Sequence, residues 1–120
     1  MLIWTTYYSK KFIEMCSRVV GTEDKCGIYK ITDTVTKQIY VGQARKIKDR
    51  FRDHCKCGLG IDTPANNKLY AAMKKDGLTN FTFEVLEACS PEELDEKERF
   101  YIELYKSYYY GFNSNKGNSK

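Results

Sequence analysis

Residues 26–54 read CGIYKITDTVTKQIYVGQARKIKDRFRDH, two tyrosine-bearing apolar runs followed by a basic segment. Cys26–Thr32 and Gln38–Gln43 are short runs rich in Ile, Val and Tyr, the composition of β-strands, and the polar residues between them make a hairpin loop. From Lys46 to Lys56 the pattern turns helical. Ile47, Arg50, Phe51 and His54 recur at spacings of three and four on one stripe, with Lys46, Lys48, Asp49, Arg52 and Asp53 outside it. An Arg and the chain's single His therefore point with two apolar anchors toward the sheet. Burying such groups is costly unless they find partners, so their placement marks a candidate site.

The hairpin predicts more. If Tyr29 pairs near Tyr40, period-two alternation sets both phenols on one face. Gly27 and Gly42 stand beside them, and glycine in a strand leaves room for a ligand against the sheet. Tyrosine in a strand is ordinarily a packing residue, so this pair alone specifies no chemistry.

Downstream, residues 57–65 form a loop punctuated by Gly and Pro, and Asn66 caps a helix through Leu69, Tyr70, Met73 and Lys74 that ends at Asp76-Gly77. Phe81–Leu86 alternates and then turns apolar, which predicts a central strand. Ser90, Pro91 and Glu93 are a helix start signal. The helix runs to about Tyr105, with Leu94, Tyr101, Ile102, Leu104 and Tyr105 on its apolar face and Glu98 in the middle of it. A carboxylate centred on a buried stripe is not there for packing; it needs a metal, a cation or a proton to transfer. Asn113 closes the domain, either as a turn residue or as a side chain reaching back to the site. Upstream, Phe12, Ile13, Cys16, Val19 and Val20 recur at helical spacing, so residues 1–25 read as a helical extension and linker, 26–115 as one domain and 116–120 as a polar tail.

Composition sets the bounds. A chain of 120 residues with 42% hydrophobic and 30% charged content is one globular domain. No apolar run approaches the roughly 18 residues that cross a bilayer, and Met1–Trp4 is too short for a signal peptide, so no membrane partner and a cytoplasmic address are expected. Five cysteines form no even framework and read as reduced thiols. The net charge of +4 is unevenly spread. Lys37, Arg45, Lys46, Lys48, Arg50, Arg52 and Lys56 crowd the first half, while acidic residues gather between Glu92 and Glu98. A polyanion partner fits that asymmetry.

Together these residues resemble the GIY-YIG nuclease family, with the catalytic module of intron homing endonucleases the most similar in character. Gly27-Ile28-Tyr29 matches the first motif and Tyr40-Val41-Gly42 the second, with Val in place of Ile. Arg50 and His54 stand at the family's offsets, Glu98 matches its helical Glu, and Gly111-Phe112-Asn113 matches its closing Gly-Tyr-Asn with Phe in place of Tyr.

The resemblance implies an α+β domain, a small three-stranded antiparallel sheet flanked by helices, that hydrolyses DNA phosphodiester bonds with one Mg²⁺ or Mn²⁺ per site. Glu98 would be the metal ligand and Arg50 would neutralise charge on the phosphate. Tyr29 would be the general base, its phenol lowered by Arg50 or by the ion. His54 would relay the proton or act as base instead, Tyr40 would position either, and Asn113 would order the site. Arg45, Lys46, Lys48 and Arg52 are the candidate DNA contacts, and a homodimer or a further domain would supply specificity. Two other readings compete: a non-catalytic nucleic-acid-binding module of the same fold, which loss of Glu98 or Arg50 would have favoured, and a partner-docking domain using the N-terminal helix.

Overall fold

The computed structural model describes residues 25–58 and 68–114. The N-terminal helix, the Asn66 cap and the polar tail expected above lie outside them. The two tyrosine-bearing runs form β1 (Gly27–Asp33) and β2 (Ile39–Ala44), followed by α1 (Ile47–Gly58), α2 (Lys68–Asp76), β3 (Phe81–Ala88), α3 (Leu94–Tyr105) and the short α4 (Ser107–Tyr110). None of these helices is long and apolar enough to cross a membrane.

The sheet is antiparallel in the order β2-β1-β3. The central strand is β1, not the strand beginning at Phe81 as its pattern suggested. The physical reason is burial: Ile28, Tyr29 and Ile31 of β1 are closed to solvent on both faces, whereas Thr82 and Glu84 of β3 are exposed between buried Phe81 and Phe83. A strand with one wet face belongs at an edge or under a single layer. Tyr29 lies opposite Gly42, and Tyr40 opposite Ile31. The two phenols are therefore diagonal neighbours on one face, with ring centroids 6.3 Å apart.

Alternation divides the core between the two faces. Tyr29 and Ile31 pack with Ile47, Phe51 and Cys55 of α1, Leu69 and Met73 of α2, and Phe81 and Phe83. Ile28 and Val41 pack on the other face with Leu94 and Ile102 of α3. The start signal before α3 forms as read: the Glu93 carboxylate accepts from the Ser90 backbone N–H and hydroxyl, both at 3.1 Å, around a single 3₁₀ turn at Pro91–Glu93. Leu104 departs from the expected apolar face and is 57% exposed. At about 100° per residue it lies roughly 120° from the centre of the buried Leu94–Glu98–Ile102 stripe.

Residues 111–113 close the free edge of β2. The Phe112 N–H donates to Ile39 O at 2.9 Å. The Asn113 amide then acts as a strand would, its Oδ1 accepting from Val41 N and its Nδ2 donating to Val41 O, each at 2.9 Å. Gly111 permits the approach, because a Cβ there would stand 2.2 Å from Ile39 O. Covering the edge removes a row of unpaired backbone groups and fixes the strand that carries Tyr40 and Gly42. Asn113→Ala leaves a buried N–H and C=O without partners, so unfolding free energy should fall by about 2 kcal/mol. Urea denaturation checks this, the midpoint dropping with the slope unchanged.

Candidate active site

The site is built from the sheet outward. Tyr29 is buried on β1, and its ring meets Phe51 edge-on at 5.1 Å. Its Oη lies 2.7 Å from Nε2 of His54, which α1 buries against the sheet. The second imidazole nitrogen, Nδ1, lies 2.7 Å from Oη of Tyr70 on α2. Tyr40 completes an aromatic wall, its ring 5.5 Å from that of His54. The space beside Gly42 is not open to a ligand, as the sequence suggested. Tyr29's own phenol fills it, and a Cβ on Gly42 would stand 2.4 Å from Tyr29 Oη and Cζ.

Electrostatics keep this cluster neutral. Burial, with the Arg50 guanidinium in support, drives His54 down to about 3. Burial, reinforced by Tyr40, pushes the Tyr29 phenol well above its ordinary value, and Arg50 pulls the other way without prevailing. The depressed phenol expected from Arg50 is therefore not what these surroundings produce.

Arg50 itself is exposed and not aligned with the core anchors. Ile47, Phe51, His54, Cys55 and Gly58 define the buried stripe of α1. By helical geometry Arg50 lies roughly 80° from its centre, at the border of sheet and solvent. There it lines an open cleft of about 570 Å³ between the starts of α1 and α3, together with Arg45, Lys46, Gln43, Asp95 and Asp53. Arg45 and Lys46 thus share the cleft with Arg50. Lys48 and Arg52 lie outside its lining, and Arg52 Nη1 stands 3.8 Å from Asp49 Oδ1.

Glu98 is fully buried, on the α3 side of the sheet and not on the face of Tyr29 and His54. Gln43, at the end of β2, spans from it to the cleft. Its Nε2 donates to Asp95 Oδ1 at 2.8 Å and to Glu98 Oε1 at 3.0 Å, using both hydrogens of one amide. The candidate residues therefore straddle the end of β2: Tyr29, Tyr40 and His54 on one face, Glu98 on the other, and Arg50 at the cleft between. Glu98 is still near enough to Tyr29 that its charge contributes to raising the phenol. Asn113 touches the β2 backbone at Val41, between Tyr40 and Gly42, and holds the site from behind.

The fold has counterparts among known proteins. A family model of the GIY-YIG catalytic domain matches residues 25–113. The chain belongs to the GIY-YIG family. Among solved structures, the catalytic domain of the homing endonuclease I-TevI is 28% identical, with a TM-score of 0.65 over 76% of this chain and 99% of that one. A mutant of the same catalytic domain is 27% identical, with a TM-score of 0.67 over 78% of this chain and 97% of that one. No curated protein matches the chain. The three-stranded sheet with flanking helices is the GIY-YIG endonuclease fold.

Three residues of this GIY-YIG domain escaped the sequence reading. Gln43 and Asp95 carry faint signals: one follows the second motif directly, and the other precedes Glu98 by one turn. Tyr70 carried none beyond its helical spacing. The electrostatics give a test of the cluster. His54 is neutral when folded and titrates near its ordinary 6.5 when unfolded, so the unfolded chain binds more protons below that value. Stability is thus intact above about pH 6.5 and falls by a few kcal/mol as pH drops toward 3. Ring NMR of the single histidine should show no protonation down to pH 4; a midpoint near 6.5 would contradict the buried neutral imidazole.

Proposed function

We propose that this GIY-YIG domain is a divalent-metal-dependent DNA endonuclease that hydrolyses phosphodiester bonds. The observation that carries this reading is Glu98, a fully buried carboxylate oriented by Gln43 behind a cleft that presents Arg45, Lys46 and Arg50. Among the described residues no three His, Cys, Asp or Glu side chains gather into a closed metal cage. An open donor set of one carboxylate, with Asp95 adjacent through the shared amide, suits Mg²⁺ or Mn²⁺, a hard ion that keeps several waters and takes phosphate oxygens from its substrate. Glu98 would hold one such ion. Once bound, it would polarise the phosphate and stabilise the leaving oxygen.

The chain's own residues supply the rest. Arg50 faces the cleft and can pair bidentately with phosphate oxygens as charge builds on them. Arg45 and Lys46 extend the positive surface along the DNA backbone, and binding weakens as salt rises. Tyr29 rests as a phenol, so it can take a proton from water only while passing its own to His54 Nε2, 2.7 Å away. His54 cannot meet water through that nitrogen while Tyr29 occupies it, which favours Tyr29 as the base and His54 as its acceptor.

Supercoiled plasmid with Mg²⁺ or Mn²⁺, and with EDTA, tests the reading. Nicking that the chelator abolishes is the expected result; no cleavage of plasmid, branched DNA or RNA by clean protein would overturn it. The nicked-to-linear ratio reports whether two copies act together. Arg50→Ala should slow cleavage by about a hundredfold at saturating DNA, the scale of one lost transition-state donor, as single-turnover kinetics would show.

A further inference from the structure

Tyr70 meets the candidate site at His54. It lies on α2, half-buried, with its Oη 2.7 Å from Nδ1 of His54 and its ring centroid 5.7 Å from the imidazole. The same hydroxyl also meets the side chain of Cys57, half-buried near the end of α1. Tyr29, His54, Tyr70 and Cys57 thus form one line of polar atoms, from the most enclosed phenol of the domain to a partly solvated thiol.

The order of donors along that line follows from Tyr29. Among the described residues, the hydrogen-bond acceptor in reach of its O–H is His54 Nε2. A buried hydroxyl donates where it can, so Nε2 is the unprotonated nitrogen. A neutral imidazole carries one N–H, so the proton is on Nδ1 and is donated to the oxygen of Tyr70. We propose that Tyr70 is a positioning residue: by accepting from Nδ1 it locks His54 in the tautomer that leaves Nε2 open to the proton of Tyr29, and it carries the displaced proton to the surface.

The inference rests on the nuclease reading for its second half, and the protons balance. Water adds to phosphorus and the bond to the leaving 3′ oxygen breaks. As the attacking water loses a proton to Tyr29 Oη, Tyr29 gives its own to Nε2, Nδ1 gives its own to Tyr70 Oη, and Tyr70 releases one toward Cys57 and solvent. The leaving oxygen takes a proton from water. Each residue ends with the proton count it began with, and only the tautomer is exchanged. Burial disfavours charge on every member, raising both phenols and lowering the imidazole, so a coordinated shift suits the cluster better than a discrete phenolate or imidazolium.

The chain has a single histidine, so its ring nitrogens can be read without assignment. ¹⁵N NMR of the full chain at pH 7, without substrate, should show a protonated Nδ1 and an unprotonated Nε2. Tyr70→Phe removes the acceptor and should convert this to a mixture with the Nε2–H form. In single-turnover cleavage the same variant should lose about tenfold in kcat with little change in KM, the scale of one proton-transfer partner. An Nε2–H tautomer in the wild-type spectrum overturns the assignment outright, even if the variant fails to fold. An unchanged tautomer in a folded variant overturns the locking role, and unchanged kcat overturns the relay. A wild-type protein that cleaves nothing removes the nuclease reading, while the spectrum still decides what Tyr70 does to His54.

Discussion

The Tyr29 hydroxyl reaches His54 because nothing larger than hydrogen stands on Gly42. That contact constrains much of the domain. Strand β1 must be central so that Tyr29 is buried, β2 must pair in the register that sets Gly42 opposite it, and α1 must lie against the same face with His54 inward. Phe51 meets the phenol edge-on, and Phe83 in turn meets Phe51 with centroids 5.0 Å apart. The two motif glycines and tyrosines are therefore a packing arrangement before they are a chemical one. Enclosure keeps both members neutral at rest, because neither holds charge well there.

The second half of the site is held by a different device. Glu98 lies beneath the opposite face, and one amide from Gln43 ties it to Asp95 and to the cleft. The sheet thus separates the carboxylate from the phenol and imidazole, and the end of β2, where Arg45 and Lys46 turn into α1, is where the two halves meet. An edge strand with so much attached to it has to be rigid. The Asn113 side chain and the Phe112 backbone complete its free edge, which gives the closing Gly-Phe-Asn a mechanical reason to exist far along the chain from β2.

Much of this was legible in the sequence because the hydrophobic period changes cleanly. The hairpin, α1 and the helix bearing Glu98 follow from the switch between periods of two and 3.6, and Glu98 announced itself as a charge within an apolar stripe. What failed to show depended on partners distant in sequence. Phe81-Thr82-Phe83-Glu84 describes its own faces and not its neighbours, so the order of strands was hidden. Arg50 shares the spacing of the core anchors, but a border position looks like a buried one until the sheet is in place. Tyr70 at helical spacing reads as packing, since the imidazole its hydroxyl meets is fixed by another helix. Gln43, a neutral amide at a strand end, shows only its place directly after the second motif.

On the proposed function, these two half-sites act as one nuclease centre, with Glu98 holding the ion it needs. Cleavage and DNA binding measured side by side for wild type and Glu98→Ala, at equal protein and Mg²⁺ concentrations, test it most directly. The variant should bind DNA nearly as well as wild type and cut none of it. A variant that still cuts would contradict it, because the chemistry would then be running without the carboxylate around which the second half is built.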